Sequence, residues 1–261
     1  MTKRLIGFAA IMGALWAGNA HAEDGDAALW ASRPEKLRVD GMLRDWRAEM
    51  VSLERVLKGR KGEGAEVEVA LAYDDNNLYV AVDAKDDAFV RTARPGDTED
   101  HLVLRLGFPT DKGAYSSHEL RLYPGQPGKS AGVALIDGRT LGSAKVVEAL
   151  NGEGFELEAS IPWSAFPEAA RVRVGIRVAA QYVDAAAPGR VRKVIGNTAG
   201  ASPKEWPPLL TEPEQGLYTG IIRENGLPSL PSRSLLGNVA GDARLEQVAI
   251  YGKYLTIVGA G

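Results

Sequence analysis

The sequence predicts an all-β protein: an antiparallel two-sheet β-sandwich of jelly-roll-like form with a short C-terminal β-hairpin extension. Three observations predict it. Apolar and polar residues alternate with period two along most of the chain. The alternating runs are separated by turn residues such as Asp, Asn and Gly, which tolerate turn conformations. Helical signals are weak, limited to a short stretch within residues 45–56 and a turn within residues 164–170. Many short strands of this kind pack face to face, because each sheet must bury one apolar face.

At the N-terminus, Lys3 and Arg4 precede an apolar run over residues 5–16, and Ala20-His21-Ala22 follows as a small-x-small cleavage signature. Residues 1–22 therefore read as a secretory signal peptide cleaved after Ala22. This expectation places the mature chain in the periplasm, at the cell surface or outside the cell. The run is shorter than the ~20 residues a bilayer span needs, and no later segment is apolar enough to supply a span after cleavage.

Residues 23–224 form the main β domain. In residues 66–73, Val67, Val69, Leu71 and Tyr73 share one face and Glu66 and Glu68 the other. Asp74-Asp75-Asn76 supplies hairpin chemistry before a second alternating run at 78–82. Leu102, Leu104, Leu106 and Phe108 form another apolar face, and further strands are expected at 118–123, 133–136 and 144–150. Phe155, Leu157, Ala159 and Ile161 alternate with Glu156, Glu158 and Ser160, and Val172, Val174, Ile176 and Val178 with Arg171, Arg173 and Arg177. A last strand is expected at 217–222. Irregular loops are expected at 84–99 and 185–213, and loops that long in a compact domain are often functional. Residues 225–233 read as a Pro/Gly/Ser linker, and 234–261 as about two more strands. Two strands alone cannot bury a core, so this tail reads as one unit of something longer, possible truncation included.

Composition narrows the function classes. A hydrophobic fraction of 45% suffices for a core, and a net charge of −3 gives no basic footprint for nucleic acid. The chain contains no cysteine, so no disulfide holds it and no thiolate serves as nucleophile or metal ligand.

Three blocks carry a resemblance. Arg38-Val39-Asp40-Gly41-Met42-Leu43-Arg44-Asp45-Trp46 comes first. The second runs from Val69 to Val82 and is followed by Lys85-Asp86-Asp87. The third is Phe155-Glu156-Leu157-Glu158-Ala159-Ser160-Ile161-Pro162-Trp163, followed by Val174-Gly175-Ile176. In this order and spacing they resemble family 9 carbohydrate-binding modules and related DOMON-like β-sandwiches, across residues 37–222. Trp46 and Trp163 lie within motifs expected to plug the core, where a tryptophan supplies a large apolar area.

The resemblance implies a sugar clamped between two loop tryptophans, a poly- or oligosaccharide being the expected partner. The first tryptophan is missing, since the loop before Asp100 reads Arg94-Pro95-Gly96-Asp97. The second corresponds to Trp206. The family's acid is replaced by Val103, and its sugar-binding arginine corresponds to Arg121. Calcium is the only cofactor the resemblance implies, with Asp74, Asp75, Asp86, Asp87, Glu99 and Asp100 as candidate ligands because Ca²⁺ takes hard oxygens; Asp in turns for backbone reasons is the alternative. Residues 237–251 resemble a single degenerate FG-GAP or VCBS-type repeat, in which Asn238 and Asp242 remain while Ala240 has lost its oxygen and Ala243 replaces glycine.

No enzyme is expected. No acid/base carboxylate pair stands in a recognisable motif, no G-x-S-x-G elbow is present, and His101 and His118 belong to no metal-ligand spacing. Pro127-Gly128-Lys129-Ser130 reads as a turn rather than a phosphate loop. Haem, held in some sandwich relatives by an axial methionine, would find only Met42 and Met50 in the mature chain. Two functions remain. One is an exported carbohydrate-binding module, which requires Trp206 exposed beside a groove. The other is a structural or protein-interaction sandwich that has lost the sugar site, which requires Trp206 buried and allows a protein partner.

Overall fold

The computed structural model describes residues 26–259 apart from Ala93 and Pro127; the expected signal peptide lies outside the described residues. In chain order the strands are β1 (Leu29–Ser32), β2 (Val51–Ser52), β3 (Arg55–Lys58), β4 (Glu66–Tyr73), β5 (Asn77–Lys85), β6 (His101–Pro109), β7 (Tyr115–Tyr123), β8 (Val133–Ile136), β9 (Arg139–Thr140), β10 (Lys145–Leu150), β11 (Gly154–Pro162), β12 (Arg177–Ala187), β13 (Arg190–Gly196), β14 (Leu209–Leu210), β15 (Arg233–Gly237), β16 (Glu246–Tyr251) and β17 (Tyr254–Val258). Two seven-stranded sheets face each other. One runs β10-β11-β5-β4-β1-β14 with β2 beside β4, and the other runs β3-β13-β12-β6-β7-β8-β9. Pairing is antiparallel except at β1, which lies parallel to both β4 and β14.

The period-two runs bury their apolar sides between the sheets. Leu71, Val80, Val82 and Leu157 from the first sheet meet Leu104, Leu106, Leu120 and Val178 from the second in one core cluster. A fully buried side chain of this kind contributes about 2 kcal/mol. Trp163 belongs to that core, 4% exposed, and its indole N–H donates to the Asp74 carbonyl at 2.9 Å. Trp46 does not. It stands half-buried on the outer face of the first sheet, donating to Glu158 Oε1 at 2.6 Å. Glu158 is fully buried there and also accepts the backbone N–H groups of Asp40 and Gly41 at 2.7 and 2.6 Å. The opening motif is thus a flap tied to an outward-facing carboxylate rather than a plug in the sandwich. Gly41 is required in it: its φ is +88°, and a Cβ would lie 2.9 Å from the Glu148 carbonyl carbon.

Several elements differ from expectation. Residues 217–222 are helical, not a strand: α1 (Glu212–Leu217) runs into a π-helical stretch over Tyr218–Arg223. The cause is a capping box at the helix N-terminus, in which the Thr211 and Glu214 side chains each accept the other residue's backbone N–H. The expected loop at 185–213 contains the β12–β13 hairpin, and the strand expected from Val172 begins only at Arg177. The short helical stretch expected within residues 45–56 is not formed: a 3₁₀ turn at Leu43–Asp45 ends at its start, and β2 and β3 follow. The expected turn near 164–170 is present as 3₁₀ turns at Trp163–Ala165 and Pro167–Ala170. The tail is a three-stranded sheet, β15-β16-β17, one strand more than expected.

That sheet lies against the sandwich. Val258 and Leu236 pack on Val172 and Val174, and Ala249 and Tyr251 pack on Ile222, with Leu217 shared by both clusters. Gly175, at φ +68°, permits the approach, because a Cβ there would fall 2.3 Å from Gln247 Nε2. The stretch between sandwich and tail is held by buried Arg177, whose guanidinium donates to the Ser229 carbonyl at 2.7 Å.

Candidate functional site

The outer face of the second sheet carries the residues expected to meet a sugar. Arg121 lies directly across β6–β7 from Val103, and Arg105 across from Glu119. Arg105 Nε donates to Glu119 Oε2 at 2.8 Å, Arg121 Nη2 contacts the other Glu119 oxygen at 2.7 Å, and Arg121 Nη1 pairs with Asp97 from the loop before β6. Acids from two other positions, Glu119 and Asp97, thus flank Arg121, while Val103 across from it carries no charge. The resulting strip, Arg105–Glu119–Arg121–Asp97, is half-exposed and offers donors and acceptors together.

Trp206 does not join it. The side chain is buried, 5% exposed, and its indole N–H donates to the Gly200 carbonyl at 3.0 Å. Both aromatic faces are covered by protein, so the wall expected at this position is a packing residue of the 197–208 loop. Two further rings near the strip are buried as well: His101 stacks on Tyr123 at 4.6 Å between centroids. Burial pushes the His101 pKa down to about 4, against the hydrogen bond to the Glu99 carbonyl that would raise it. The ring is neutral at ordinary pH and serves packing.

The expected metal ligands separate into two places. Asp74 and Asp75 form the β4–β5 turn. Asp74 Oδ1 accepts the backbone N–H groups of Asn76 and Asn77, both at 2.7 Å, and Asp75 pairs with Arg33 at 2.9 Å. Asp86 and Asp100 instead converge with Asp184, all three buried, with ligand oxygens within 4.8 Å of one another. Asp87 stands at the rim of this cluster. Asp184 escaped sequence reasoning because it is a lone acid on a strand, with no turn or spacing to single it out.

A calcium ion needs roughly six to eight oxygens free to point at it. Here the oxygens are committed. Arg192 reaches in from β13, with Nη2 at 3.0 Å from Asp86 and 2.9 Å from Asp184, Nε at 2.9 Å from Asp184 Oδ2, and Nη1 at 2.7 Å from Asp87. Asp100 accepts the N–H of Val90 on one oxygen at 2.6 Å and that of Ala185 on the other at 2.7 Å. Asp184 also accepts the N–H of Ala65 at 2.9 Å, and the Tyr182 hydroxyl donates to Asp86 at 3.3 Å. As arranged, the cluster fits a guanidinium and not a calcium ion. Desolvation, with the Asp86 charge adding to it, pushes Asp100 up to about 7. Glu99 turns away and accepts the Thr92 N–H at 3.0 Å.

The tail loop follows the same pattern. Asn238 Oδ1 accepts the Gly241 N–H, Asp242 Oδ1 accepts that of Arg244 at 2.8 Å, and Glu246 accepts those of Val239 and Ala240. These oxygens close a turn. His118 is held between Asp137 at 2.8 Å and Glu168 at 2.9 Å, so both ring nitrogens are engaged and neither is offered to a substrate. No helix among the described residues is long and apolar enough to cross a membrane.

No family model and no curated protein sequence matches the chain. Solved structures do. A family 9 carbohydrate-binding module from Caldicellulosiruptor kristjanssonii in complex with cellotriose superposes with a TM-score of 0.53 at 17% identity, covering 71% of this chain and 93% of that one. The glucose complex of a family 9 module from the same organism gives 0.51 at 17% identity, covering 71% and 96%. The sandwich therefore has the fold of the family 9 carbohydrate-binding modules.

Proposed function

We propose that this chain is an exported, non-catalytic carbohydrate-binding-like module whose sugar contact falls on the Arg105–Glu119–Arg121–Asp97 strip. The observation that supports it most is Arg121: the sequence resemblance aligns it with the family's sugar-binding arginine, and it stands, partly exposed, on the outer face of a sandwich whose fold is shared with modules solved in complex with cellotriose and glucose. A guanidinium held between carboxylates presents paired donors and acceptors to vicinal hydroxyls. Export rests on the basic, apolar and Ala20-His21-Ala22 pattern of residues 1–22. With Trp206 buried, the expected affinity is weak, with a Kd on the order of 1 mM or about −4 kcal/mol. Isothermal titration against cello-oligosaccharides and a broad soluble glycan panel tests this. Saturable binding lost in Arg121→Ala supports the proposal. A flat response across the panel from folded protein overturns it.

One observation favours a second reading, a structural or protein-interaction sandwich. Trp206 is buried and bonded to its own loop, the arrangement expected of a module that kept the scaffold and lost the aromatic clamp. The flat titration would select this reading.

A further inference from the structure

Large apolar side chains that stand exposed are concentrated at one end of the molecule. Apart from Met42 and Leu150 on the first sheet's side, the others, Leu230, Leu235, Val239, Ile250, Leu255 and Ile257, all belong to the tail or the segment leading into it. Four of these are aligned by strand pairing. Leu235 lies opposite Val248 and Val248 opposite Ile257, while Ile250 lies between Arg233 and Leu255. The opposite side of the same sheet packs on the sandwich, so this outward side is an apolar sheet face without a cover. Contiguous exposed apolar surface of this kind marks an interaction site in a soluble protein.

A groove of about 660 Å³ runs beside it, between the tail and the sandwich, with Tyr115 and Lys204 on the far wall. Residues 230–235 all line it consecutively. Residues 233–235 are consecutive on β15 and point to opposite faces, so the groove takes in the edge of β15 as well as the outward face, which supplies Val248, Ile250 and Leu255. That edge is open, since β15 pairs only with β16. No acid lines the groove, whereas Lys204 and Arg233 do, and neither takes part in an ion pair among the described residues.

We propose that the groove along β15 binds an extended acidic–apolar segment of a partner protein, which adds a strand to the open edge of the tail sheet. Each feature selects that occupant. The free edge supplies backbone hydrogen bonds, which is how strand addition gains affinity. The floor of Val248, Ile250 and Leu255 takes apolar side chains at alternate positions. The cations take acidic ones, Arg233 from the same side as the apolar floor and Lys204 from the far wall. A second copy of this chain would bring the same cations onto themselves, and a lipid surface would not enter a walled groove. This surface lies apart from the Arg121 strip, so its failure and that of the sugar proposal are separate results.

The test uses the full chain and fluorescein-labelled peptides that combine valine or isoleucine with glutamate or aspartate on both faces of an extended strand. Fluorescence anisotropy should give saturable binding. It should weaken at least about tenfold when lysine replaces the peptide's acids, in Arg233→Glu with Lys204→Glu, and in Leu255→Asp. Peptides N-methylated along one backbone edge should not bind. These protein substitutions fall on exposed positions, and circular dichroism verifies that each variant is folded. The proposal is overturned if no peptide binds folded protein, or if N-methylated and parent peptides bind equally. It is also overturned if sedimentation shows a dimer abolished by Leu255→Asp, or if vesicles containing phosphatidylglycerol compete the peptides away.

Discussion

Arg192 sets the character of the buried acidic cluster. Three aspartates taken out of water repel one another, and a cation among them offsets the cost. The protein supplies that cation itself from the adjacent strand of the β12–β13 hairpin, with contacts of 2.7–3.0 Å to Asp87, Asp184 and Asp86. Wild-type protein should therefore melt at the same temperature in excess EDTA and in millimolar CaCl₂. Arg192→Ala removes the cation that Asp86 and Asp184 share and leaves both carboxylates buried, with Arg91, 3.5 Å from Asp100, as the remaining charge, a change that costs about 3 kcal/mol. It also opens the oxygens of Asp86 and Asp184. Calcium should then recover part of the lost stability, and Tyr182, whose hydroxyl reaches Asp86, should sensitise terbium luminescence in the variant only. A calcium-dependent melting temperature in the wild type would show that an ion and not the guanidinium holds the cluster.

At the scale of elements, His118 joins β7 to the β8–β9 turn through Asp137 and to the 3₁₀ turn at Pro167–Ala170 through Glu168. Burial alone would lower the histidine's pKa, but the hydrogen bonds and charges of Asp137 and Glu168 outweigh it and raise it. Both carboxylates are lowered in turn: burial alone would raise them, but His118 together with the Glu119 N–H on Asp137, and Ser116 together with His118 on Glu168, outweigh it. A raised histidine contributes stability that is complete below its unfolded value and is lost as pH rises through the folded one. A lowered carboxylate contributes stability above its unfolded value, lost as pH falls through the folded one. The clamp is strongest between those limits. His118→Gln should reduce the fall in melting temperature between about pH 6 and about pH 8, by an amount worth at most ~1 kcal/mol for a partly exposed cluster; an unchanged fall would place the titration elsewhere. These elements also show what the sequence made legible. β4, β5, β6 and β11 alternate cleanly because one face of each is core. β13 was hidden because Arg190, Arg192 and Lys193 break its pattern, although Lys193 is buried with its ammonium donating to the Ala65 carbonyl at 3.1 Å. Residues 217–222 were misassigned because their apolar residues suit either period, and the deciding Thr211–Glu214 capping box lies upstream. The Arg121 strip was legible only at Arg121, since Glu119 and Asp97 reach it through pairing and loop folding that no local spacing reveals.

At the scale of the molecule, the tail is joined to the main domain by two small apolar clusters outside the sandwich core. Tyr251 and Ala249 complete a cluster with Ile222 and Leu227, Val258 completes one with Val172 and Val174, and the Leu245 N–H donates to the Arg171 carbonyl at 2.7 Å. A three-stranded sheet with one face on another body has no separate core, so it cannot persist once those contacts are lost. Burial pushes the Tyr251 phenol up to about 12, a measure of how dry the junction is. Calorimetry of the full chain should therefore show one transition, with calorimetric and van't Hoff enthalpies equal. Tyr251→Ala should move that whole transition down by about 3 kcal/mol, as expected for deleting a buried aromatic ring. A low-temperature transition confined to the variant, with the main one unmoved, would mean that the tail melts by itself and the sandwich stands without it. A single displaced transition would mean that the outward apolar face of the tail is held on a rigid support, which is the condition for it to present β15 to a partner as a preformed edge.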